Sequence, residues 1–200
     1  MNFSKKTLFF SLFFFLTALS SLHAEKQKAT LGGGCFWCME PPFANVKGVL
    51  SKKVGYMGGK TKNPTYEEVS SGNTGHVEVI QLEFNDKEIS YEKILEIFFQ
   101  SIDPTQVGGQ FADYGSQYET VIFTHSAKQK QIAQKFIQSF GEQKHFEKPI
   151  VVQIKEAKEF YPAEEYHQEF YKKNEAHYKS YSEGSGRKGF LEKKWGKYKR

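Results

Sequence analysis

The strongest restriction on the fold of this chain comes from three consecutive glycines followed by a Cys-x-x-Cys pair. The stretch Gly32-Gly33-Gly34-Cys35-Phe36-Trp37-Cys38 holds both cysteines of the protein. Consecutive glycines allow a sharp turn and a close approach to a neighbouring segment. A helix beginning after them would place Cys35 at or near its N-terminus, where the helix dipole favours a thiolate. The stretch predicts a reactive thiol, with an inert, partly buried cysteine pair as the alternative.

The N-terminal residues 1–24 have the pattern of a secretory signal peptide. Lys5 and Lys6 precede an apolar run, and the small residue Ala24 stands where a signal peptidase would cut. An uncleaved membrane anchor is the alternative, but the run is shorter than the roughly 20 residues that span a bilayer. We therefore expect an exported protein, either periplasmic or secreted.

The rest of the chain is long enough for one domain with a single core, and it has no internal repeat or linker. We assign residues 25–186 to this domain and residues 187–200 to a basic C-terminal tail. The tail has seven basic residues against one acid, Glu192. A basic tail can bind nucleic acid or acidic lipid. A solvated end is commoner, and an exported protein seldom meets nucleic acid, so we expect no nucleic-acid partner.

Hydrophobic periodicity predicts strands that alternate with helices. Such alternation indicates an α/β or α+β domain of two layers, with helices packed on a mixed sheet. Pro64 is expected at the first position of its helix, and Ser90 is expected to cap another. The predicted strands are 27–31, 46–57, 76–84, 119–124 and 150–154; the predicted helices are 35–43, 63–69, one after Ser90, 126–143 and 162–178.

One carboxylate lies on an apolar face of a predicted strand. Alternation along 76–84 places Glu78 on the same face as Ile80 and Leu82. A glutamate in a strand is more often salt-bridged or at an exposed edge. Its position on this face makes Glu78 a candidate functional group.

The cysteine pair leaves three kinds of chemistry open. Two cysteines three positions apart cannot build a disulfide framework, and no histidine pairs with them at ligand spacing, so we expect redox or catalytic use and no metal. A thiolate could attack carbon, a disulfide or an oxidised sulfur. A cysteine protease needs a histidine base, and none of His76, His125 and His167 carries a recognisable orienting motif. A thioredoxin-like enzyme would explain the cysteines but not Glu78.

Six segments in order give the chain a resemblance to a known family. It resembles the A-type peptide methionine (S)-sulfoxide reductases across nearly all of its length after residue 24. Several independent motifs in the right order are far more specific than a single Cys-x-x-Cys. The matching segments are Gly34-Cys35-Phe36-Trp37, Gly55-Tyr56 with Gly58-Gly59, Asn63-Pro64-Thr65-Tyr66, Gly72-x-Thr74-Gly75-His76-x-Glu78, Asp113-x-Gly115-Ser116-Gln117-Tyr118 and Tyr166-His167-Gln168.

The resemblance implies a ferredoxin-like plait and the reduction of methionine S-sulfoxide, in oxidised proteins or as the free amino acid. Cys35 would attack the sulfoxide sulfur, leaving a sulfenic acid. Glu78, with a pKa raised by burial, would protonate the sulfoxide oxygen. Tyr66 and Tyr118 would donate hydrogen bonds to the same oxygen.

The resemblance also implies how substrate is held and how the enzyme is recycled. Phe36 and Trp37 would form an aromatic slot for the S-methyl group, and Asp113 would make a polar contact to substrate or a tyrosine. His76 and His167 are expected to be structural, hydrogen-bonded residues. No prosthetic cofactor is implied; the reductant would be an external, thioredoxin-like dithiol, and we expect a monomer.

The chain departs from many relatives in lacking a cysteine near its C-terminus. Cys38 is the only other thiol, and positions three apart at a helix start can approach disulfide separation. The hypothesis is that Cys38 attacks the sulfenic acid on Cys35. The alternative is that Cys38 is a packing residue and an external thiol resolves Cys35 directly.

Overall fold

The computed structural model describes residues 26–196, which form one six-stranded sheet with helices packed on it. The sheet strands appear in the spatial order β7-β6-β1-β3-β2-β8, and a separate two-residue pair, β4 and β5, lies in the connection before β6. The strands are β1 (Lys26–Gly33), β2 (Val49–Met57), β3 (Val77–Asn85), β4 (Gly109–Gln110), β5 (Asp113–Tyr114), β6 (Thr120–Thr124), β7 (Gln153–Glu156) and β8 (Tyr161–Pro162).

The four central strands have the order of a ferredoxin-like plait. Strand β1 pairs antiparallel with both β3 and β6, and β2 pairs antiparallel with β3. The outer pair β6 and β7 is parallel, which makes the sheet mixed. The predicted α+β class with a mixed sheet is confirmed. The first crossover departs from the plait because two short 3₁₀ turns stand where a full helix would lie.

The six α-helices within residues 26–196 follow from local capping and periodicity. Ser90 and Ser126 cap α2 and α3 as N-cap residues, each accepting a hydrogen bond from a backbone amide three residues on. Helix α1 is capped by Thr65 in a reciprocal box with Glu68. The prediction of Pro64 at the first helical position is therefore wrong, since it precedes the cap. The helices are α1 (Tyr66–Ser70), α2 (Tyr91–Phe99), α3 (Ala127–Glu142), α4 (Phe170–Lys173), α5 (Glu175–Gly184) and α6 (Arg187–Trp195).

The main core lies between one face of the sheet and helices α2 and α3. Ile80, Leu82 and Phe84 of β3 are fully buried there, together with Phe98 and Phe99 of α2. A smaller cluster around Val79 and Phe123 occupies the other face. Because alternate residues of β3 enter different clusters, Glu78 is carried on the face of the main core, as its spacing predicts.

Three segments differ from the sequence prediction. The expected helix over 35–43 is two 3₁₀ turns, Phe36–Cys38 and Pro41–Phe43, because Pro41 and Pro42 cannot donate the backbone hydrogen bonds of a continuing helix. The strand predicted over 150–154 corresponds to β7, which begins at Gln153 and ends at Glu156. The expected helix over 162–178 is a short strand and a turn before α4 and α5.

The basic C-terminal segment is not a solvated tail where the structure describes it. Residues Arg187–Trp195 form helix α6, the side chain of Arg187 is buried, and Trp195 packs against the main core. The predicted signal peptide lies outside the described residues. Within 26–196, none of the helices has the length and apolar character needed to cross a bilayer.

Candidate active site

Cys35 lies where the central strand β1 leaves the sheet. Gly34 turns the chain with a φ of 82°, and a Cβ atom there would stand 2.6 Å from the side chain of Gln110. Cys35 itself occupies the N-cap position of the first 3₁₀ turn. Its side chain is 8% exposed, so the thiol faces a nearly closed site.

Burial raises the pKa of the Cys35 thiol well above its ordinary value, and the neighbouring Glu78 and Cys38 raise it further. The phenol of Tyr181 acts in the opposite direction and lowers the pKa of the thiol. The expected stabilisation of a thiolate by a helix dipole is not met, because a three-residue 3₁₀ turn carries little dipole and desolvation outweighs it. The unliganded site therefore holds a thiol at neutral pH.

Glu78 is a buried carboxylic acid beside this thiol. It is 1% exposed, and one of its oxygens, Oε2, accepts a hydrogen bond of 3.0 Å from the backbone amide of Phe36. Burial raises the pKa of Glu78 to about 8. The hydrogen bond from the amide of Phe36 lowers this pKa, and the charge of Asp113 raises it. Glu78 is thus largely protonated near neutral pH and can act as an acid.

Tyr66 and Tyr118 meet the same site from different parts of the chain. Tyr66 opens helix α1, and Tyr118 ends the 3₁₀ turn Ser116–Tyr118 before β6. Burial, then the charges of Glu78 and Cys35, raise the pKa of Tyr66 to about 12, and burial also raises that of Tyr118. Both phenols remain protonated donors, and neither hydroxyl donates a hydrogen bond to another of the residues 26–196.

Aromatic rings surround the thiol. The ring of Trp37 stacks on Phe170 with centroids 3.8 Å apart, and its indole nitrogen Nε1 donates a 3.0 Å hydrogen bond to Nδ1 of His167. The rings of Phe36 and Tyr66 lie 5.0 and 4.5 Å from that of His167. His167 is therefore hydrogen-bonded within the aromatic cluster, as expected.

Asp113 is joined to a residue that the sequence did not single out. The hydroxyl of Tyr181, on α5, donates to both carboxylate oxygens of Asp113 at 2.6 Å. Burial, the charge of Cys35 and this bond raise the pKa of Tyr181. Tyr181 was missed because it lies beyond the last matching motif, in a Tyr-rich segment without a signal of its own.

Tyr56 and Glu164 form a second pair that the sequence analysis did not identify, and Glu164 contacts the backbone of Tyr66. Glu164 accepts a 2.9 Å hydrogen bond from the hydroxyl of Tyr56 and another of 2.9 Å from the backbone amide of Tyr66. Tyr56 faces Glu78 across the β2–β3 ladder. Tyr56 could have been identified from the matching segment Gly55-Tyr56. Glu164 could not, because it fell inside the helix predicted over 162–178.

Cys38 lies one 3₁₀ turn after Cys35, and its backbone amide donates a 3.0 Å hydrogen bond to the carbonyl of Cys35. Both thiols are free and buried. Burial raises the pKa of Cys38, and the guanidinium of Arg187 lowers it. The charge of Cys38 also raises the pKa of Cys35, so the two thiols are close enough to interact.

His76, the other histidine expected to be structural, is hydrogen-bonded to two backbone groups. His76 accepts a hydrogen bond from the amide of Gly59 at 3.1 Å, and its second ring nitrogen lies 2.8 Å from the carbonyl of Thr61. It holds the loop before α1. Over the described part of the chain, no group of three or more His, Cys, Asp or Glu side chains could hold a metal ion.

The site combines a thiol with a protonated carboxyl group and two phenols inside an aromatic cluster. This combination is typical of a thiol-dependent oxidoreductase that acts on a small substrate group with a polarised bond to oxygen. Comparison with known proteins identifies which one. The family model of peptide methionine sulfoxide reductase matches residues 27–199. The chain therefore belongs to the peptide methionine sulfoxide reductase family, and it reduces methionine (S)-sulfoxide in peptides with a thiol reductant and no prosthetic cofactor.

Relatives share most of the chain. The peptide methionine sulfoxide reductase MsrA of Bacillus subtilis is 53% identical over 172 residues, which cover 86% of this chain and 97% of the relative. MsrA 2 of Staphylococcus aureus (strain MW2) is 51% identical over 171 residues, with 86% and 97% covered.

Solved structures agree with the fold. Methionine sulfoxide reductase A of Corynebacterium diphtheriae superposes with a TM-score of 0.70 at 29% identity, covering 75% of this chain and 76% of that one. The reduced form of Mxr1 from Saccharomyces cerevisiae gives 0.66 at 31% identity, covering 76% and 87%.

Proposed function

We propose that Cys35 is the nucleophile of this reductase and Glu78 its acid. The observation that carries the assignment is the hydrogen bond from the amide of Phe36 to Glu78. It ties the acid to the residue that follows the nucleophile. The accepting oxygen, Oε2, is occupied by that bond, so a protonated Glu78 carries its proton on Oε1.

The reaction follows from the positions of these two protons, one on the Cys35 thiol and one on Glu78. The sulfur of Cys35 attacks the sulfoxide sulfur and loses its proton, while Glu78 gives its proton to the sulfoxide oxygen. The S–O bond of the substrate then breaks, the oxygen passes to Cys35, and the substrate leaves as a thioether. Thiol and sulfoxide become sulfenic acid and methionine without net proton uptake.

Tyr66 and Tyr118 stabilise the oxygen as negative charge develops on it. Both are neutral donors whose pKa values are raised, and both lie close enough to Glu78 and Cys35 for those charges to act on them. Donors held in place before the reaction need no reorganisation during it.

Phe36 and Trp37 hold the methyl group of the substrate. Apolar burial and sulfur–aromatic contact favour a thioether-like group at this place. Asp113, held by Tyr181, supplies a polar contact at the edge of the slot. If only one configuration at the sulfoxide sulfur fits between these contacts, the site would prefer the S epimer.

Cys38 resets the enzyme by forming a disulfide with Cys35, and a thioredoxin-like dithiol reduces that disulfide. The turn that links the two residues supports this step, since the amide of Cys38 donates to the carbonyl of Cys35 and Cys38 is close enough to raise the pKa of the Cys35 thiol. We also propose that free methionine S-sulfoxide is a substrate, that the enzyme acts as a monomer, and that the segment 1–24 exports it to the periplasm or beyond.

A coupled assay with dithiothreitol tests the assignment of the nucleophile. We expect methionine from an S-sulfoxide peptide and from the free S epimer, none from either R epimer, and none with Cys35→Ser. Cys38→Ser is the matched control, because it removes a thiol of similar burial without removing the nucleophile. Turnover by Cys35→Ser would overturn the assignment.

A further inference from the structure

Arg187 is a buried cation that the reaction described above does not use. It begins α6, is 3% exposed, and donates through Nη1 to the carbonyl of Ser101 and through Nη2 to that of Gly33, both at 2.7 Å. It also lies 4.6 Å over the ring of Phe111. These contacts fix the guanidinium in one place.

That place is against the segment that carries both cysteines. A Cβ atom on Gly34 would stand 2.7 Å from Nη2, so the guanidinium touches the residue before Cys35. Its Nη1 lies 3.9 Å from the sulfur of Met39, the residue after Cys38. A cavity of about 480 Å³ is lined by both Cys38 and Arg187.

The charge of Arg187 has no anionic partner at rest. Among the salt bridges of residues 26–196, none includes Arg187. A buried cation held by neutral groups without an anion is costly, and a nearby anion would relieve that cost. Cys38 lines the same cavity as Arg187, and its thiol becomes an anion in the resetting step proposed above.

We propose that Arg187 is a positioning residue for the resetting step, where it stabilises the thiolate of Cys38. The proposal rests on the Cys35–Cys38 disulfide proposed above. The thiolate of Cys38 attacks the sulfenic sulfur of Cys35, a sulfur–sulfur bond forms, and the S–O bond breaks. Hydroxide leaves and takes up a proton as water. The electron pair of the Cys38 thiolate becomes the sulfur–sulfur bond and the S–O pair leaves with hydroxide, so the Cys38 sulfur is oxidised from −2 to −1 and the Cys35 sulfur is reduced from 0 to −1.

The other charges around Cys38 oppose its ionisation. Burial raises the pKa of Cys38, Asp113 and Glu78 raise it as well, and Arg187 alone lowers it. At the cavity wall, Lys188 is engaged with Glu183 at 2.6 Å on the exposed surface. Lys179 and Glu192 also line this wall. The guanidinium is therefore the charge best placed to hold the thiolate.

Single-turnover kinetics tests this role. Protein is mixed with one equivalent of an S-sulfoxide peptide, and methionine release, dimedone-trapped sulfenic acid and free thiols are followed between pH 6 and 10. In Arg187→Met we expect methionine release within about two-fold of wild type and disulfide closure about ten-fold slower at pH 7. The difference should shrink only toward pH 10, as the pH approaches the raised pKa of the Cys38 thiol and its thiolate begins to form without the guanidinium.

Two variants separate charge from packing. Arg187→Lys restores a cation and should recover most of the closure rate, whereas the neighbouring exposed change Lys188→Met should leave it unchanged. Closure by Arg187→Met at the wild-type rate and pH profile would overturn the proposal. If Arg187→Met does not fold, Arg187→Gln is compared with Arg187→Lys, and equal closure rates overturn it. Loss of a single thiol in wild type would instead overturn the disulfide itself.

Discussion

The backbone amide of Phe36 donates a 3.0 Å hydrogen bond to a carboxylate oxygen of Glu78, across 42 positions of sequence. The bond joins the turn after β1 to the middle of the sheet, because β1 and β3 are neighbours. It leaves the other oxygen of Glu78, Oε1, free of this contact. A single backbone contact thus sets the orientation of the proposed acid relative to the proposed nucleophile, Cys35.

Replacement of the acid should slow the chemical step. We expect Glu78→Gln to lower the single-turnover rate of methionine formation about 10²- to 10³-fold at pH 7, with substrate affinity nearly unchanged, because an amide has no proton to give. In wild type the rate should fall as the pH rises through about 8, where Glu78 ionises. Glu83→Gln, farther along β3, is the control and should behave as wild type. A wild-type rate in Glu78→Gln would remove Glu78 from the role of acid.

The same change should stabilise the protein at high pH. The pKa of Glu78 is raised from 4.5 to about 8 in the folded state, so the unfolded chain binds fewer protons between these values and stability falls as the pH rises. Glu78→Gln lacks this loss. We expect its free energy of unfolding in urea to exceed that of wild type by about 2–5 kcal/mol at pH 9 and by little near pH 5. Equal stability at pH 9 would contradict a buried acid.

Much of the site could be predicted because its residues carry local signals. Strand alternation identified Glu78, and the glycine run before Cys35 marked the turn, since Gly34 has a φ of 82°. The partners of these residues could not be predicted in the same way. Tyr181 reaches Asp113 across 68 positions, and only tertiary packing of α5 decides that contact.

Loss of the Tyr181 hydroxyl should affect both neighbours. Tyr181→Phe leaves the Asp113 carboxylate without this donor and removes the phenol that lowers the pKa of Cys35. We expect about a ten-fold lower rate of methionine formation. The pH profile of Cys35 alkylation, measured with Cys38→Ser, should shift upward. Tyr114→Phe removes an exposed hydroxyl beside Asp113 and should change neither quantity. An unshifted profile in Tyr181→Phe would contradict its contact with the thiol.

The two phenols should act on the same oxygen. Tyr66→Phe and Tyr118→Phe should each lower the single-turnover rate about ten-fold, and the double variant by about 10²- to 10³-fold. Substrate Kd should change much less, because the charge on oxygen develops in the transition state. Tyr166→Phe, with an exposed ring, is the control. Equal losses in Kd and rate would show that the phenols only bind substrate.

The C-terminal segment shows where composition misleads. Seven basic residues predict a solvated end, yet Arg187 is buried and Trp195 packs against the core. Charge counts alone cannot indicate that two backbone carbonyls, of Gly33 and Ser101, are placed to receive a guanidinium. The contact follows from the position of α6 in three dimensions.

The division of labour between the two cysteines is tested most directly by counting thiols after one turnover. Reduced protein is mixed with one equivalent of an S-sulfoxide peptide, without reductant. We expect one methionine formed and two thiols lost in wild type. In Cys38→Ser we expect one methionine, one thiol lost and a dimedone-reactive sulfenic acid. Loss of only one thiol in wild type, or methionine formed by Cys35→Ser, would contradict this division of labour.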